Sequence, residues 1–233
     1  MRFAVIQFGG SNCDRDVQNV LSDVCGVDAD LVWYKERLVR TYDAVVLPGG
    51  FSYGDYLRAG AIAARTPVVM EDVARHAAGG GLVLGICNGA QILAESGLVP
   101  GTFTINAYPK FICMWVYLRV ENAATPFTSE FKKGDVIRIP IAHAEGRYVA
   151  PAGTIASLNK GGRIAFRFCD KNGKITQEAN PNGATGNITG LLSNKGNVLA
   201  MMPHPERASE EVLGSTDGKK IFDSMIHHIE RNA

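Results

Sequence analysis

The chain has 233 residues, 46% hydrophobic and 20% charged, a composition that can bury a full core and that argues against a disordered tail. Its 24 basic residues nearly balance 23 acidic ones, which leaves no electrostatic footprint for nucleic acid or an anionic membrane. Five scattered cysteines with no CxxC pair exclude a disulfide framework and a structural zinc site, and no apolar run approaches the ~20 residues of a membrane span. A cytoplasmic enzyme acting on a small molecule, alone or with a protein partner, is the expectation, with no metal, nucleic acid or membrane.

The first half alternates apolar runs with helical patterns. "RFAVIQF" (2–8) is a first strand, too short for a signal-peptide core. After a turn at "GGSN", residues 14–25 carry Val17, Val20, Leu21 and Val24 on one helical face, with Ser11 and Asn12 as capping candidates and Asp14 and Asp16 suited to the helix dipole. "DLVWY" (30–34) and "DAVVLPGG" (43–50) are the next strands. "PVVMEDVARHAAGGG" (67–81) is a helix opened by proline and closed by glycine. "LVLGI" (82–86) then leads into a helix that starts after Cys87. Apolar strands alternating with helices indicate a parallel sheet covered on both faces.

From about residue 108 the pattern changes. "KFICMWVYLRVE" (110–121) and "DVIRIPIAH" (135–143) are long, β-branched and aromatic. "RIAFRFCDKNGKIT" (163–176) predicts a hairpin around Asn172-Gly173, and "NITGLLSNKGNVLAMM" (187–202) a second around "NKGN". These are antiparallel excursions added to an α/β frame. "TDGKKIFDSMIHHIER" (216–231) closes the chain as an amphipathic helix with Ile221, Phe222, Met225, Ile226 and Ile229 inward. With neither repeat nor linker, residues 1–233 read as one domain.

Gly85-x-Cys87-x-Gly89 has the form of a nucleophile elbow with cysteine in the serine position. Small flanking residues suit a strained strand-to-helix turn, and a helix N-terminus favours the thiolate. The Asn88 N–H is directed at the same space and can hold an oxyanion. A buried cysteine between packing glycines accounts for the tripeptide equally well. Two His-x-Glu pairs offer a base and its orienting carboxylate, His143 with Glu145 and His204 with Glu206. The second follows an apolar run and is bracketed by Pro203 and Pro205, which favours it without deciding the matter. In "LPGGFSYGDYLRAG" (47–60), Gly49 and Gly50 free the backbone at a strand end, and the loop from Phe51 to Tyr56 suits a pocket or an interface. "GSTDGKK" (214–220) is no P-loop, because its glycines are one residue too close and no Ser or Thr follows the lysine. ATP, if consumed, therefore binds another chain.

"LPGGFSYGDYLRAGAIA", "LGICNGAQIL", "KFICMWVYLRVE", "AHAEGRY" and "GNVLAMMPHPERA" together resemble the glutaminase subunits of phosphoribosylformylglycinamidine synthases, which are class I (triad) glutamine amidotransferases. The likeness runs from "GSNCDRDV" to "LGSTDGKKIF". It implies a flavodoxin-like open sheet and a triad of Cys87, His204 and Glu206, with the Gly50 and Asn88 N–H groups as oxyanion hole. Phe51, Tyr53, Arg58, Gln91, His143 and Glu145 become candidates for the glutamine pocket or a partner interface. The resemblance further implies glutamine hydrolysis, with ammonia passed to a large synthase subunit. That subunit would hold ATP and magnesium and convert formylglycinamide ribonucleotide to the amidine in purine biosynthesis, with a small third subunit bridging the two. This chain itself would bind no cofactor. Ala90 and Met114 stand where the family usually has phenylalanine and arginine. A stand-alone cysteine hydrolase, either a peptidase or a γ-glutamyl hydrolase, is the alternative built on the same elbow.

Overall fold

A computed structural model describes residues 1–38 and 41–232. In chain order the elements are β1 (Arg2–Gln7), α1 (Asp14–Asn19), β2 (Asp28–Trp33), β3 (Ala44–Leu47), α2 (Pro67–Ala78), β4 (Leu82–Ile86), α3 (Asn88–Glu95) and β5 (Thr102–Thr104). They continue with β6 (Ile112–Val120), β7 (Val136–His143), β8 (Arg147–Val149), α4 (Ala152–Lys160), β9 (Ile164–Cys169), β10 (Ile188–Leu192), β11 (Val198–Met201) and α5 (Lys219–Asn232). One nine-stranded sheet has the order β2-β1-β3-β4-β11-β10-β9-β6-β7. The first five of these positions are parallel, in the doubly wound flavodoxin-like order. β3 and β4 lie at the centre, with every residue buried, as expected of strands covered on both faces.

The later strands pair antiparallel from β11 outwards through β10, β9 and β6 to β7. They extend the same sheet, so the excursions of the sequence are half of the main architecture. The edge strand β7 nevertheless returns to the centre: the His204 N–H donates to the Pro140 carbonyl at 2.9 Å. The antiparallel half therefore curls until its last strand forms a wall beside the carboxyl ends of the parallel strands.

Three local expectations change. Neither Ser11 nor Asn12 caps α1, because Ser11 Oγ instead accepts the Phe8 N–H at 3.1 Å, and the N-cap residue is Cys13. Asn172-Gly173 does turn, with the Gly173 N–H donating to the Asp170 carbonyl at 2.9 Å. No second arm follows it, however, since β9 already pairs with β6 and β10 on its two edges. Two small elements, α4 and the β5–β8 pair, had no sequence signal. α4 buries only Leu158 fully, too little to generate a periodic pattern, and the paired strands are three residues each. α5 buries Ile221, Phe222, Met225 and Ile226 as its pattern requires, with Ile229 partly covered. Among the described residues, no helix is long and apolar enough to cross a membrane.

Candidate active site

Three neighbouring strands, β3, β4 and β11, deliver their following loops to one spot above the carboxyl edge of the sheet. β4 delivers Cys87, whose φ of 50° and ψ of −104° lie outside the regions that ordinary residues adopt. That geometry survives because the surroundings dictate it. The Cys87 N–H donates to the Met201 carbonyl at 2.8 Å. A Cβ on Gly89 would run into the Leu47 carbonyl, and one on Gly85 would sit 2.7 Å from the Gly89 carbonyl oxygen. The glycines therefore let α3 lie directly on β3 and β4. Cys87 Sγ is directed at the Ala142 carbonyl on β7, 3.7 Å away. It also stands at the positive end of α3, where the first N–H groups have no partner within the helix.

β11 delivers His204 between its two prolines. His204 Nδ1–H donates to Glu206 Oε1 at 2.6 Å, and both side chains are almost wholly buried. Burial alone would push the imidazole pKa down, but the Glu206 carboxylate and the Cys87 sulfur outweigh it, and the pKa is raised well above the usual value. The ring's Nε2 is buried with no hydrogen-bond partner of its own, so it is available for a proton carried to or from a reactant.

The other histidine is differently built. His143 ends β7, also buried, and its Nδ1 lies 3.1 Å from Asn106 Oδ1. That oxygen also accepts the Gly146 N–H, so Nδ1 carries the proton and Nε2 is a bare acceptor. Burial, then the charge of His204, push the His143 pKa down to about 4. Glu145 does not orient it. Its Oε2 accepts the Ala59 N–H at 3.2 Å, so the resemblance between the two His-x-Glu pairs ends with the sequence.

β3 delivers Gly49 and Gly50. Gly50 has a φ of +144°, and a Cβ there would meet the Asn12 nitrogen at 2.6 Å. The following loop is tied to the elbow by side chains. Asn88 Oδ1 accepts the Ser52 N–H, while Asn88 Nδ2 donates to Gln91 Oε1 at 2.9 Å and towards Asp55 Oδ1 at 3.4 Å. Gln91 Nε2 donates to the Glu145 carbonyl at 2.7 Å. Asn88, Gln91 and Glu145 thus form one strut beside the thiol. Phe51 is 43% exposed, with its ring 6.2 Å from that of Phe111, and Tyr53 packs edge-on against Tyr34. Arg58 pairs with Glu95 at the far end of α3, 2.6 Å away. Of the two departures from the family pattern, Ala90 is fully buried in the core and Met114 is exposed on β6.

Four contributors carry no signal of their own in the sequence. Asn106 and Asp55 are lone polar residues in loops, with no pattern to mark them. Cys13 and Arg207 stand inside quoted motifs, but their meeting needs the fold: Arg207 Nη2 donates to Cys13 Sγ at 3.0 Å across 194 residues of chain. Cys13, His204 and Glu206 bring donor atoms within 4.8 Å of one another. The Arg207 guanidinium on Cys13, 3.8 Å from Glu206, already supplies the positive charge, so the cluster is poorly suited to a metal cation.

Comparison with known proteins places the chain in a family along nearly its whole length. Residues 1–228 match the family described as CobB/CobQ-like glutamine amidotransferase domain. A protein of Methanosarcina acetivorans named phosphoribosylformylglycinamidine synthase subunit PurQ is 59% identical over the full length of both chains. One of the same name from Methanocaldococcus jannaschii is 51% identical over 99% of this chain and all of its own. Among solved structures, a chain of PurLQS from Thermotoga maritima superposes with a TM-score of 0.86 at 44% identity, covering 98% of each chain.

Proposed function

The chain belongs to the CobB/CobQ-like glutamine amidotransferase family and, within it, to the glutaminase subunits of phosphoribosylformylglycinamidine synthase, and from that premise we propose how its residues work and with what. Cys87 attacks the side-chain amide carbon of glutamine, and the N–H groups of Asn88 and Gly50 hold the oxyanion that forms. The His204 imidazolium gives its proton to the amide nitrogen as the C–N bond breaks, releasing ammonia and leaving a γ-glutamyl thioester. Water attacks the thioester while His204 takes its proton. The C–S bond then breaks and glutamate leaves. Glu206 holds the imidazole in register throughout. The observation that carries this reading is the His204–Glu206 bond beside a strained, helix-capped Cys87.

Ammonia passes to a large synthase subunit, which uses ATP and magnesium to convert formylglycinamide ribonucleotide to the amidine, with a small subunit bridging the two. No cofactor belongs to this chain. Exposed apolar side chains support a covered mouth: Tyr56 and Leu57, 71% and 82% exposed, follow Phe51 in the loop after β3, and Tyr108, 71% exposed, lies in the segment that brings Phe111 to 6.2 Å from Phe51.

The test is glutamine hydrolysis by the purified chain, alone and with the synthase subunits. Wild type releases glutamate weakly alone and faster in the complex. Cys87→Ser and His204→Ala lose about 10⁴-fold or more. Equal turnover with and without partners, or cleavage of a peptide or γ-glutamyl bond without them, favours the stand-alone hydrolase instead.

A further inference from the structure

The loop after β1 brings a second cysteine to the triad. Cys13 is 1% exposed and makes two contacts that no packing requirement explains. Its Sγ accepts a hydrogen bond from Arg207 Nη2 at 3.0 Å. It also lies within 4.8 Å of a ring nitrogen of His204 and an oxygen of Glu206. Gly49 packs against both partners: a Cβ there would fall 2.7 Å from His204 Cε1 and 3.2 Å from Cys13 Sγ. Sulfur and imidazole thus share one wall of the site. Arg207 reaches from Cys13 back to Glu206, with Nε 3.8 Å from the same Oε1 that accepts the His204 Nδ1–H hydrogen bond.

We propose that Cys13 and Arg207 act as a positioning pair for the triad, the thiol anchoring the guanidinium so that it steadies Glu206 without displacing the imidazole from it. The inference rests on the triad reading above and adds to it two residues that touch no substrate.

The physics assigns each partner a sign. Arg207 is a cation beside the carboxylate that stabilises the His204 imidazolium, so it competes with the imidazolium for that charge. Cys13 supplies electron density beside the ring and holds Arg207 at its distance, so it supports the imidazolium. The other titratable groups facing His204 are Cys87 from the start of α3, His143 from β7 and Asp16 from α1. Cys87 is replaced by serine in every comparison, and the rest stay the same.

The experiment is a pH titration of the His204 ring nitrogens by NMR. It uses the full chain labelled with ¹⁵N in its histidine rings, in a Cys87→Ser background, with His204→Ala to assign the signal. Cys13→Ala lowers the His204 midpoint by about one pH unit. Cys13→Ser, whose hydroxyl still accepts from Arg207, restores at least half of that shift. Arg207→Gln moves the midpoint the other way, upwards. A merely structural role predicts loss of folded protein with no such opposed shifts. If Cys13→Ala does not fold, Cys13→Ser and Arg207→Gln still test the pair. Midpoints unchanged in Cys13→Ala and Arg207→Gln, or moved in one direction by both, overturn it. Glutamine turnover in the complex, measured in parallel on the unmutated elbow, separates the two failures. An inactive wild type sinks the triad reading, whereas an active wild type with unmoved midpoints sinks only the pairing.

Discussion

Asp55 shows how much the loop beside the elbow tolerates for the sake of its position. It has a φ of +53°, with Tyr53, Gly54 and Leu57 also left-handed within the same few residues. Such angles cost an ordinary residue of order 1 kcal/mol or more. Burial, then the charge of Glu145, push its carboxyl pKa up to about 6. A carboxyl raised in the folded state favours folding at acid pH, and that contribution is lost as the pH climbs from about 4 through 6. At neutral pH the ionised group therefore opposes folding. Asp55→Asn keeps an oxygen for Asn88 Nδ2, removes the charge and suits the left-handed backbone better. The variant is expected to be more stable than wild type by about 1 kcal/mol at pH 7.5, discounted for partial exposure, with the gain shrinking towards pH 4. Urea midpoints at the two pH values check it, and a gain that does not depend on pH assigns the effect to backbone strain alone.

The elbow is an element in which strand, turn and helix have no slack. Because a Cβ on Gly89 would enter the Leu47 carbonyl, Gly89→Ala forces α3 away from β3. It is expected to cost about 3 kcal/mol or more, and with it the placement of Cys87. Gly9→Ala is the control, since nothing lies within 4 Å of that Cβ, and it should change stability by less than about 0.5 kcal/mol. Thermal unfolding of both variants decides whether close approach or glycine content matters. This element was readable in the sequence because its constraint is local: an apolar strand, two glycines at fixed spacing and a helix within twelve residues. The parallel strands were readable for the same reason. The 163–176 hairpin was misread because turn chemistry at Asn172-Gly173 says nothing about which edges of β9 are already taken. The likeness of the two His-x-Glu pairs was also local. Only the fold reveals that Glu145 serves Ala59 while Asn106 serves His143.

At the scale of the whole molecule, the site exists because a sheet half parallel and half antiparallel curls back on itself. β7 is the last strand of the order, yet its Pro140 carbonyl holds the His204 N–H and its Ala142 carbonyl faces Cys87 Sγ. His143 sits at that closure, 2% exposed, with one nitrogen on Asn106 and the other bare. It folds in neutral form, its pKa down at about 4. The sign follows from proton counting. Between pH 6.5 and 4 the unfolded chain takes up a proton on this histidine that the folded chain refuses, so stability falls as the solution is acidified. From pH 7 to pH 5 this one site should remove about 2 kcal/mol. His143→Gln cannot take that proton, so its stability should fall less over the same interval, by a margin of that size, whatever its stability at pH 7. Urea unfolding of the two proteins at both pH values reads the difference directly. Cys87 alkylation at each urea concentration adds the structural side, since the thiol should open to reagent in the same transition that releases β7. If His143→Gln loses as much stability as wild type on acidification, the closure is not the acid-sensitive joint and the neutral histidine is only a filler of space.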